Sequence, residues 1–303
     1  MNTSGKTAKY VIAALAAVVV VLLVVVAFLL GRGSGNKNQG QNPSTPSETQ
    51  ASQPADPGTT QAQSENNAAD PASTDPAATD AASQSADVDA PRNLEISMSA
   101  GSLTFVEGSA FQIDYDKSVI NVSIHGDSVT IENDHAHPTA SQRRRMDVTV
   151  TVPAGYAFNS VDVEMGAGKM IVHSLYADAL DLELGAGSAT FDRVYITGSA
   201  EIQEGAGELA IKGGQINNLT LQCGAGATRV AAVLTGTNTV NAAVGAVDLK
   251  FDGSEADYTV AFQMGLGACY YNNEKIARSA SFGEGPTLVN ITGGFGVMRV
   301  NVG

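Results

Sequence analysis

A glycine-alanine-glycine triplet recurs along this chain of 303 residues at a nearly constant spacing. It occurs four times, in the runs VEMGAGKMIV, LELGAGSATF, IQEGAGELAI and LQCGAGATRV. The series continues in degraded form at Gly245 and Gly265, and the steps between the first glycines are 19, 20, 19, 21 and 20 residues. A fixed period of about 20 residues is typical of stacked supersecondary units, none of which buries its apolar face alone.

Apolar and polar residues alternate on both sides of each triplet, which is the pattern of half-buried strands. Ahead of the triplets, one apolar column contains Val163, Leu182, Ile202, Leu221, Ala242 and Phe262. Behind them, the matching column contains Met170, Ala189, Leu209, Thr228, Leu249 and Cys269. Each unit is therefore predicted to run as a strand, a corner, a second strand and a return turn.

The triplet itself predicts a corner at which successive coils approach closely, because glycine adopts positive φ without Cβ strain. We therefore predict an all-β fold, a single-stranded parallel β-solenoid (β-helix) whose coils stack at a spacing of ~4.8 Å. A left-handed hexapeptide helix does not fit, since aliphatic residues do not recur every six positions. The predicted structural corner glycines are Gly166, Gly168, Gly185, Gly187, Gly205, Gly207, Gly224, Gly226, Gly245, Gly265 and Gly267.

Two further segments resemble coils of the same stack. The run ISMSAGSLTF is similar to LELGAGSATF, which predicts that the stack begins before the first full triplet. At the other end, LVNITGGFGVMRVNVG is predicted to form the last coil, after an insertion around YYNNEKIARSASFGEGP.

Composition divides the chain into four segments. Residues 11–30 carry no charge, and twenty such residues match the roughly 30 Å hydrocarbon core of a bilayer. A cleaved signal peptide is the main alternative, but its apolar region is usually about 7–15 residues and precedes a small-residue cleavage pattern that is absent here. We predict a short cytoplasmic tail at 1–10, a transmembrane anchor at 11–30, a disordered Ser/Thr/Pro/Ala/Asp-rich stalk at 31–91 and a β-solenoid adhesin-like domain at 92–303.

The stalk also indicates the orientation of the protein. Residues 38–91 contain no Lys or Arg, and a segment of this composition cannot bury enough apolar surface to order itself. Stalks of this kind usually stand outside the cell. We therefore expect a single-pass protein of the cell membrane whose C-terminal domain is extracellular.

The net charge argues against a nucleic-acid-binding protein, and the two cysteines do not make a disulfide framework. A net charge of −14 argues against nucleic acid as a partner, because nucleic-acid binding needs clustered Lys and Arg. The three arginines at 143–145 are read as a solvated loop, with contact to anionic lipid or cell-wall polymer as the alternative. Cys223 and Cys269 are predicted to lie two coils apart, about 10 Å along the stack, and to be free thiols, since that separation exceeds disulfide reach.

The run VTVTVPAGYAFNSVDVEMGAGKMIV, followed by repeated GAG-centred strands, resembles the adhesin-like family of bacterial domains of unknown function, also called toastrack domains. The resemblance covers about residues 92–303. It implies a β-solenoid, often tethered to a membrane, in bacterial envelopes, and some members belong to envelope stress-response systems. It implies no catalytic residues.

The glycine triplets and a ladder of acidic residues each suggest a chemical role, and each also has a simpler structural explanation. Paired glycines suggest dinucleotide binding, but none of the triplets carries the third glycine of that fingerprint. An outward acidic ladder could suit a glycan-cleaving carboxylate pair or Ca²⁺, although a solvated charged face is the simpler interpretation; it comprises Asp162, Glu164, Asp181, Glu183 and Glu201.

Two smaller features remain. Glu204 occupies an otherwise apolar column, so it is either a buried carboxylate with a raised pKa or, as we expect, turned outward by the corner. Asp134, His135 and His137 could hold a transition metal but lack a third firm ligand, so a polar loop is expected.

The sequence thus predicts a non-enzymatic, membrane-anchored surface protein with no catalytic, cofactor-binding or metal-binding residues and no cofactor. The expected role is adhesion or envelope scaffolding, with a cell-wall polymer or a surface protein as partner and self-association possible through the solenoid ends. The alternatives are an envelope-stress-response component that contacts a membrane signalling partner and, less favoured, a glycan-active enzyme that uses Asp181 and Glu183.

Overall fold

The computed structural model of this chain describes the backbone of residues 83–87 and all atoms of residues 91–133 and 146–303. These residues form sixteen strands and one short 3-10 helix, Glu255–Asp257. The strands are β1 Ser83–Asp87, β2 Asn93–Gly108, β3 Gln112–Asp116, β4 Asn121–His125, β5 Ser128–Glu132, β6 Asp147–Pro153, β7 Ala157–Val172, β8 Leu175–Phe191, β9 Val194–Ile211, β10 Gly214–Asn217, β11 Leu219–Thr235, β12 Thr237–Phe251, β13 Tyr258–Tyr271, β14 Glu274–Ile276, β15 Ser279–Phe282 and β16 Thr287–Val302.

Each long strand makes one coil. β7 and β8 pair in parallel from Ala157 beside Tyr176 to Val172 beside Phe191. Only two residues separate the end of β7 from the start of β8. The end of a coil therefore lies close to its own beginning, so the strand winds around the core. The corner lies within the strand, and the predicted pair of strands per coil is continuous through it.

Eight coils stack in parallel in the order β2, β7, β8, β9, β11, β12, β16 and β13. The prediction of an all-β, solenoid-like stack is confirmed. The prediction that ISMSAGSLTF forms an early coil is also confirmed, because Gly101 of β2 pairs with Gly168 of β7.

The order of the last coils differs from the prediction. β16 does not end the stack but lies between β12 and β13, so that Gly296 pairs with both Gly245 and Gly267. Strands β14 and β15 pair antiparallel with β13. The inserted strand gives both β12 and β13 a complete parallel neighbour, and the two short strands cover the remaining edge of β13.

The register of β12 also differs from the predicted columns. Gly245 pairs with Gly226, the second glycine of its triplet, rather than with the first. As a result Val247 lies beside Thr228, and Leu249, which was assigned there, lies beside Val230. The shift is two residues, which leaves every side chain on its predicted face because strands alternate with a period of two.

Short strands close the other end of the stack. β5 and β6 each pair in parallel with β2 and together form a split outermost coil. β4 covers β5, β3 covers β6, and β1 pairs with β3, all antiparallel. The sheet thus includes Ser83–Asp87, a segment that the sequence analysis assigned to the stalk.

The core consists of the inward columns of the coils. The column formed by Val163, Leu182, Ile202 and Leu221 is almost completely buried. Full burial of one such side chain contributes roughly 1.5–3 kcal/mol. Because each of these residues packs on its equivalents above and below, the core repeats with the coil.

Candidate functional site

The corner is built from two columns of glycine, and only the second column has glycine in every coil. The second position of the triplet is glycine in all eight stacked coils. At two of these positions, Gly207 and Gly296, φ is +152° and +151°. A Cβ on Gly207 would collide with the carbonyl oxygen of Gly187 in the coil before it. At the first position, Ser99 and Ala243 stand in place of glycine in two of the coils, although a Cβ on Gly185 or Gly224 would collide with a backbone carbonyl oxygen.

The predicted corner glycines fall into these columns. Gly185 and Gly205 lie on adjoining coils, since a Cβ on Gly205 would meet the carbonyl oxygen of Gly185. The first column contains Gly166, Gly185, Gly205, Gly224 and Gly265, and the second contains Gly168, Gly187, Gly207, Gly226, Gly245 and Gly267.

The middle residue of the triplet points outward and changes character along the stack. It is alanine in five successive coils, at positions 100, 167, 186, 206 and 225. In the last three coils it is Val244, Phe295 and Leu266, which we call the apolar corner. Their exposed fractions are 42%, 61% and 60%. The sequence analysis missed this cluster because its members are adjacent only through the insertion of β16.

An acidic face lies on the outward side of the strands ahead of the corner. Register places Glu95, Asp162, Asp181 and Glu201 in one column across four adjoining coils, and Glu164 beside Glu183 in the next. The structure thus brings together the five predicted carboxylates and adds Glu95. These six residues are the acidic face.

Crowding and partial burial on the acidic face favour protonation. The pKa of Asp181 is raised to about 6, first by burial and then by the charges of Asp162, Glu201 and Glu183. The pKa of Glu183 is raised by burial and by Glu164 and Asp162. Among the described residues, no group of three or more His, Cys, Asp or Glu is placed to hold a metal ion.

Glu204 is buried, so the expectation that the corner turns it outward was wrong. It pairs with Leu184 and Cys223 in the last inward column before the corner. Thr228 Oγ1 donates to Glu204 Oε2 at 2.8 Å and lies 3.2 Å from Cys223 Sγ, while Glu204 Oε1 has no partner. Burial raises the pKa of Glu204, the Thr228 hydrogen bond lowers it, and Glu208 raises it further.

A signal for this pair was present in the sequence. Thr228 is the polar exception in the apolar column behind the corner, as Glu204 is in the column ahead of it. Two polar exceptions in neighbouring coils on the same face indicate a buried hydrogen bond, because an unpartnered buried polar group is costly.

Ion pairs also link successive turns on another part of the surface. Asp192 contacts His173 Nδ1 at 2.9 Å and Lys212 Nζ at 2.8 Å. Hydrogen bonds from Lys212 and His173 lower the pKa of Asp192. All three side chains are substantially exposed, so these pairs contribute little to stability.

The two cysteines are free and buried, so the prediction of free thiols is confirmed. Their predicted separation of two coils was wrong, since β12 and β16 both lie between β11 and β13. Asp134, His135, His137, the arginines at 143–145 and the apolar run at 11–30 lie outside the described residues. Within the described part of the chain, no helix has the length and apolar character needed to cross a bilayer.

Comparison with known proteins identifies the repeated region. The profile of the family described as Toastrack DUF4097 matches residues 92–265. No curated protein matches the chain.

Weaker likenesses to solved structures include the following three. A proposed adhesin from Bacteroides fragilis is 14% identical, with 72% of this chain and 95% of that chain covered and a TM-score of 0.34. A proposed cell adhesion protein from Clostridium sporogenes is 9% identical, with 73% and 97% covered and a TM-score of 0.28. A proposed lipid-binding protein from Parabacteroides distasonis is 9% identical, with 72% and 95% covered and a TM-score of 0.34.

Proposed function

Because this chain belongs to the Toastrack DUF4097 family, we propose that it is a non-enzymatic, membrane-anchored bacterial surface protein whose stacked domain serves adhesion or envelope scaffolding. The observation that supports this most is the set of outward columns. In-register coils repeat each outward side chain about every 4.8 Å, as in the column from Glu95 to Glu201. A repeating surface of this kind suits a repeating partner, such as an envelope polymer.

The covered ends of the stack fit this role. Short strands close both ends of the stack, β1, β3 and β4 at one end and β14 and β15 at the other. Covered edges oppose strand pairing between copies, so the long faces rather than the ends remain for a partner. The self-association through solenoid ends that the sequence left open is therefore not part of the proposal.

The anchor belongs to the same proposal. Residues 11–30 hold twenty uncharged, mostly large apolar residues, enough to span a bilayer as a helix. The polar residues that follow serve as a tether on the outer side. Full-length protein is expected to stay in the membrane fraction after alkaline carbonate washing, and V20R combined with V24R is expected to release it.

Adhesion is tested by retention of the full-length protein on purified envelope polymers immobilised on beads. The matched variant combines Asp181→Asn, Glu183→Gln and Glu201→Gln, which removes three charges without changing side-chain size. Retention that changes in this variant supports a role for the acidic face. Absence of retention on every polymer and on whole cells, together with in-cell crosslinking to a membrane sensor, would favour envelope-stress signalling instead.

A further inference from the structure

The apolar corner, Val244, Phe295 and Leu266, is a feature of the folded stack and not of any one segment. Its members come from β12, β16 and β13, and Phe295 pairs with the other two. In the other coils the same position carries only a methyl group. Side chains as large as Phe and Leu with about three-fifths of their surface exposed have no role in the core, so their grouping points to a contact outside the domain.

The shape of the apolar corner is convex. Phe295 stands between Gly294 and Gly296, and Leu266 between Gly265 and Gly267. Val244 stands between Ala243 and Gly245. Because their neighbours along the chain carry no more than a methyl group, the three side chains stand above the surrounding backbone as one raised patch.

Charge is separated from the apolar corner along the stack. The two outward columns that carry the acidic face become neutral beyond β9. One continues as Thr220, Thr239, Asn290 and Ala261, and the other as Gln222, Asn241, Thr292 and Gln263. Arg278, whose guanidinium donates to the carbonyl oxygen of Gly265 at 2.8 Å, lies at the edge of the apolar corner. The neutral columns and Arg278 do not repel an anionic surface, whereas the acidic face does.

Two occupants have to be compared, a second copy of the chain and a lipid bilayer. A stable protein interface buries roughly 800 Å² and about 20–30 residues on each partner. Three projecting side chains on a glycine-lined corner fall far short of that. Binding to a lipid surface instead increases with the apolar area that is buried and with the attraction of basic residues to anionic lipid, so a small raised patch contributes a weak contact without a matching protein surface.

We propose that Val244, Phe295 and Leu266 insert into the outer surface of the membrane to which the chain is anchored. The inference rests on the proposed anchor. Residues 31–82 separate the proposed anchor from the first described strand, and six coil steps of ~4.8 Å separate β2 from β16. Attachment of the chain to the same membrane would raise the effective concentration of the corner at the bilayer surface, so that a weak contact suffices.

The absence of Trp from the sequence makes a direct test possible. Phe295→Trp places the only tryptophan of the full-length protein at the centre of the apolar corner. Ala186→Trp is the matched control, because it occupies the same outward column on β8. Both proteins are reconstituted into vesicles of phosphatidylcholine and phosphatidylglycerol, with or without bromine on the acyl chains, and washed with carbonate.

The expected result is a blue-shifted emission and at least about a twofold loss of fluorescence on brominated lipid for F295W, because the ring enters the acyl boundary. A186W is expected to be unaffected. Adding Val244→Glu and Leu266→Glu to F295W is expected to abolish the quenching, and circular dichroism confirms that this variant is folded.

Three outcomes overturn the inference. Equal, unquenched emission from both tryptophans in vesicles that retain the protein refutes insertion and leaves the anchor standing. Loss of the protein during carbonate washing refutes the anchor itself. A blue shift of F295W that depends on protein concentration and not on bromination identifies a second copy as the occupant.

Discussion

Thr228 donates a hydrogen bond to the buried carboxylate of Glu204 from the coil next to it, with 2.8 Å between Oγ1 and Oε2. The pair crosses the core between neighbouring coils and is flanked by apolar side chains. Here two buried polar side chains interrupt the otherwise apolar inward columns of the repeat.

Thr228→Val is expected to lower the free energy of unfolding by about 1–3 kcal/mol at neutral pH, because it leaves a buried carboxylate without its donor. Thr190→Val, at an outward half-buried position, is the control and is expected to change it by less than about 0.5 kcal/mol. Chemical denaturation followed by circular dichroism measures both. Replacing both partners, as Glu204→Leu with Thr228→Val, is expected to restore stability; a double variant as unstable as T228V would contradict this account.

Stability is expected to rise as pH falls from neutral toward 5. A carboxyl group whose folded pKa is raised binds more protons in the folded state, so its protonation favours folding. For Asp181, whose pKa is raised from 3.8 to about 6, stability is lost as pH rises through that interval. Glu183 and Glu204 act in the same direction.

The melting temperature measured between pH 5 and 8 checks this prediction. Asp181→Asn with Glu183→Gln should flatten the dependence while preserving the fold. Asp192, whose pKa is lowered, loses its contribution only below about pH 4 and so does not mask the effect. A melting temperature that increases steadily with pH over this range would contradict the prediction.

Gly207→Ala is expected to destabilise the domain by about 2–4 kcal/mol, because a methyl group there is strained at φ +152° and collides with the carbonyl of Gly187. Gly155→Ala separates the two causes. Gly155 has φ +73° with open space around its Cβ position, so only conformational strain of about 1 kcal/mol is expected. Equal losses for the two variants would show that close stacking at the corner does not matter.

The two thiols are expected to resist modification in the folded protein. Both are buried, and burial raises the pKa of Cys223 to about 11 and that of Cys269 in the same direction. The thiolate is the reactive form, so a thiol-specific reagent should label neither until denaturant is added, when it should label both. Peptide mapping without reductant should recover Cys223 and Cys269 on separate peptides.

Truncation after Gly285 removes β16 and is expected to unfold β13 as well. Without β16, β12 loses one parallel neighbour and β13 loses its only one among the long strands. Limited proteolysis should then cut within β13, Tyr258–Tyr271, which is expected to be protected in the full chain. Retained protection would mean that the C-terminal coil is peripheral, as the sequence alone suggests.

The coil architecture was predictable because its signals are local. Leu182, Gly185 and Gly187 each report alternation or a corner within a single coil, and the repeat multiplies that signal. The insertion of β16 was not predictable, because Gly296 and Gly267 lie in similar segments that could occupy either place in the stack. For similar repeats, the order along the chain is what predicts the order in the stack, and in this protein the two orders differ.

The candidate surfaces were predictable to different extents. The acidic face follows from register, since Asp162 and Asp181 occupy the same position in consecutive coils. The apolar corner required the spatial order of β12, β16 and β13. The orientation of Glu204 depended on where the corner begins, and its hydrogen-bond partner Thr228 in the next coil shows that it begins after Glu204.

The place of β16 has a consequence for how the protein is made. Ribosomes deliver this chain from its N-terminus, so Thr287–Val302 emerges after every other strand. Until β16 has been synthesised, β12 and β13 lack the parallel strand that pairs with both of them, and the stack cannot be completed at that end. A chain released early therefore carries two unpaired strand edges, which are expected to make an unfinished copy recognisable to proteases and chaperones.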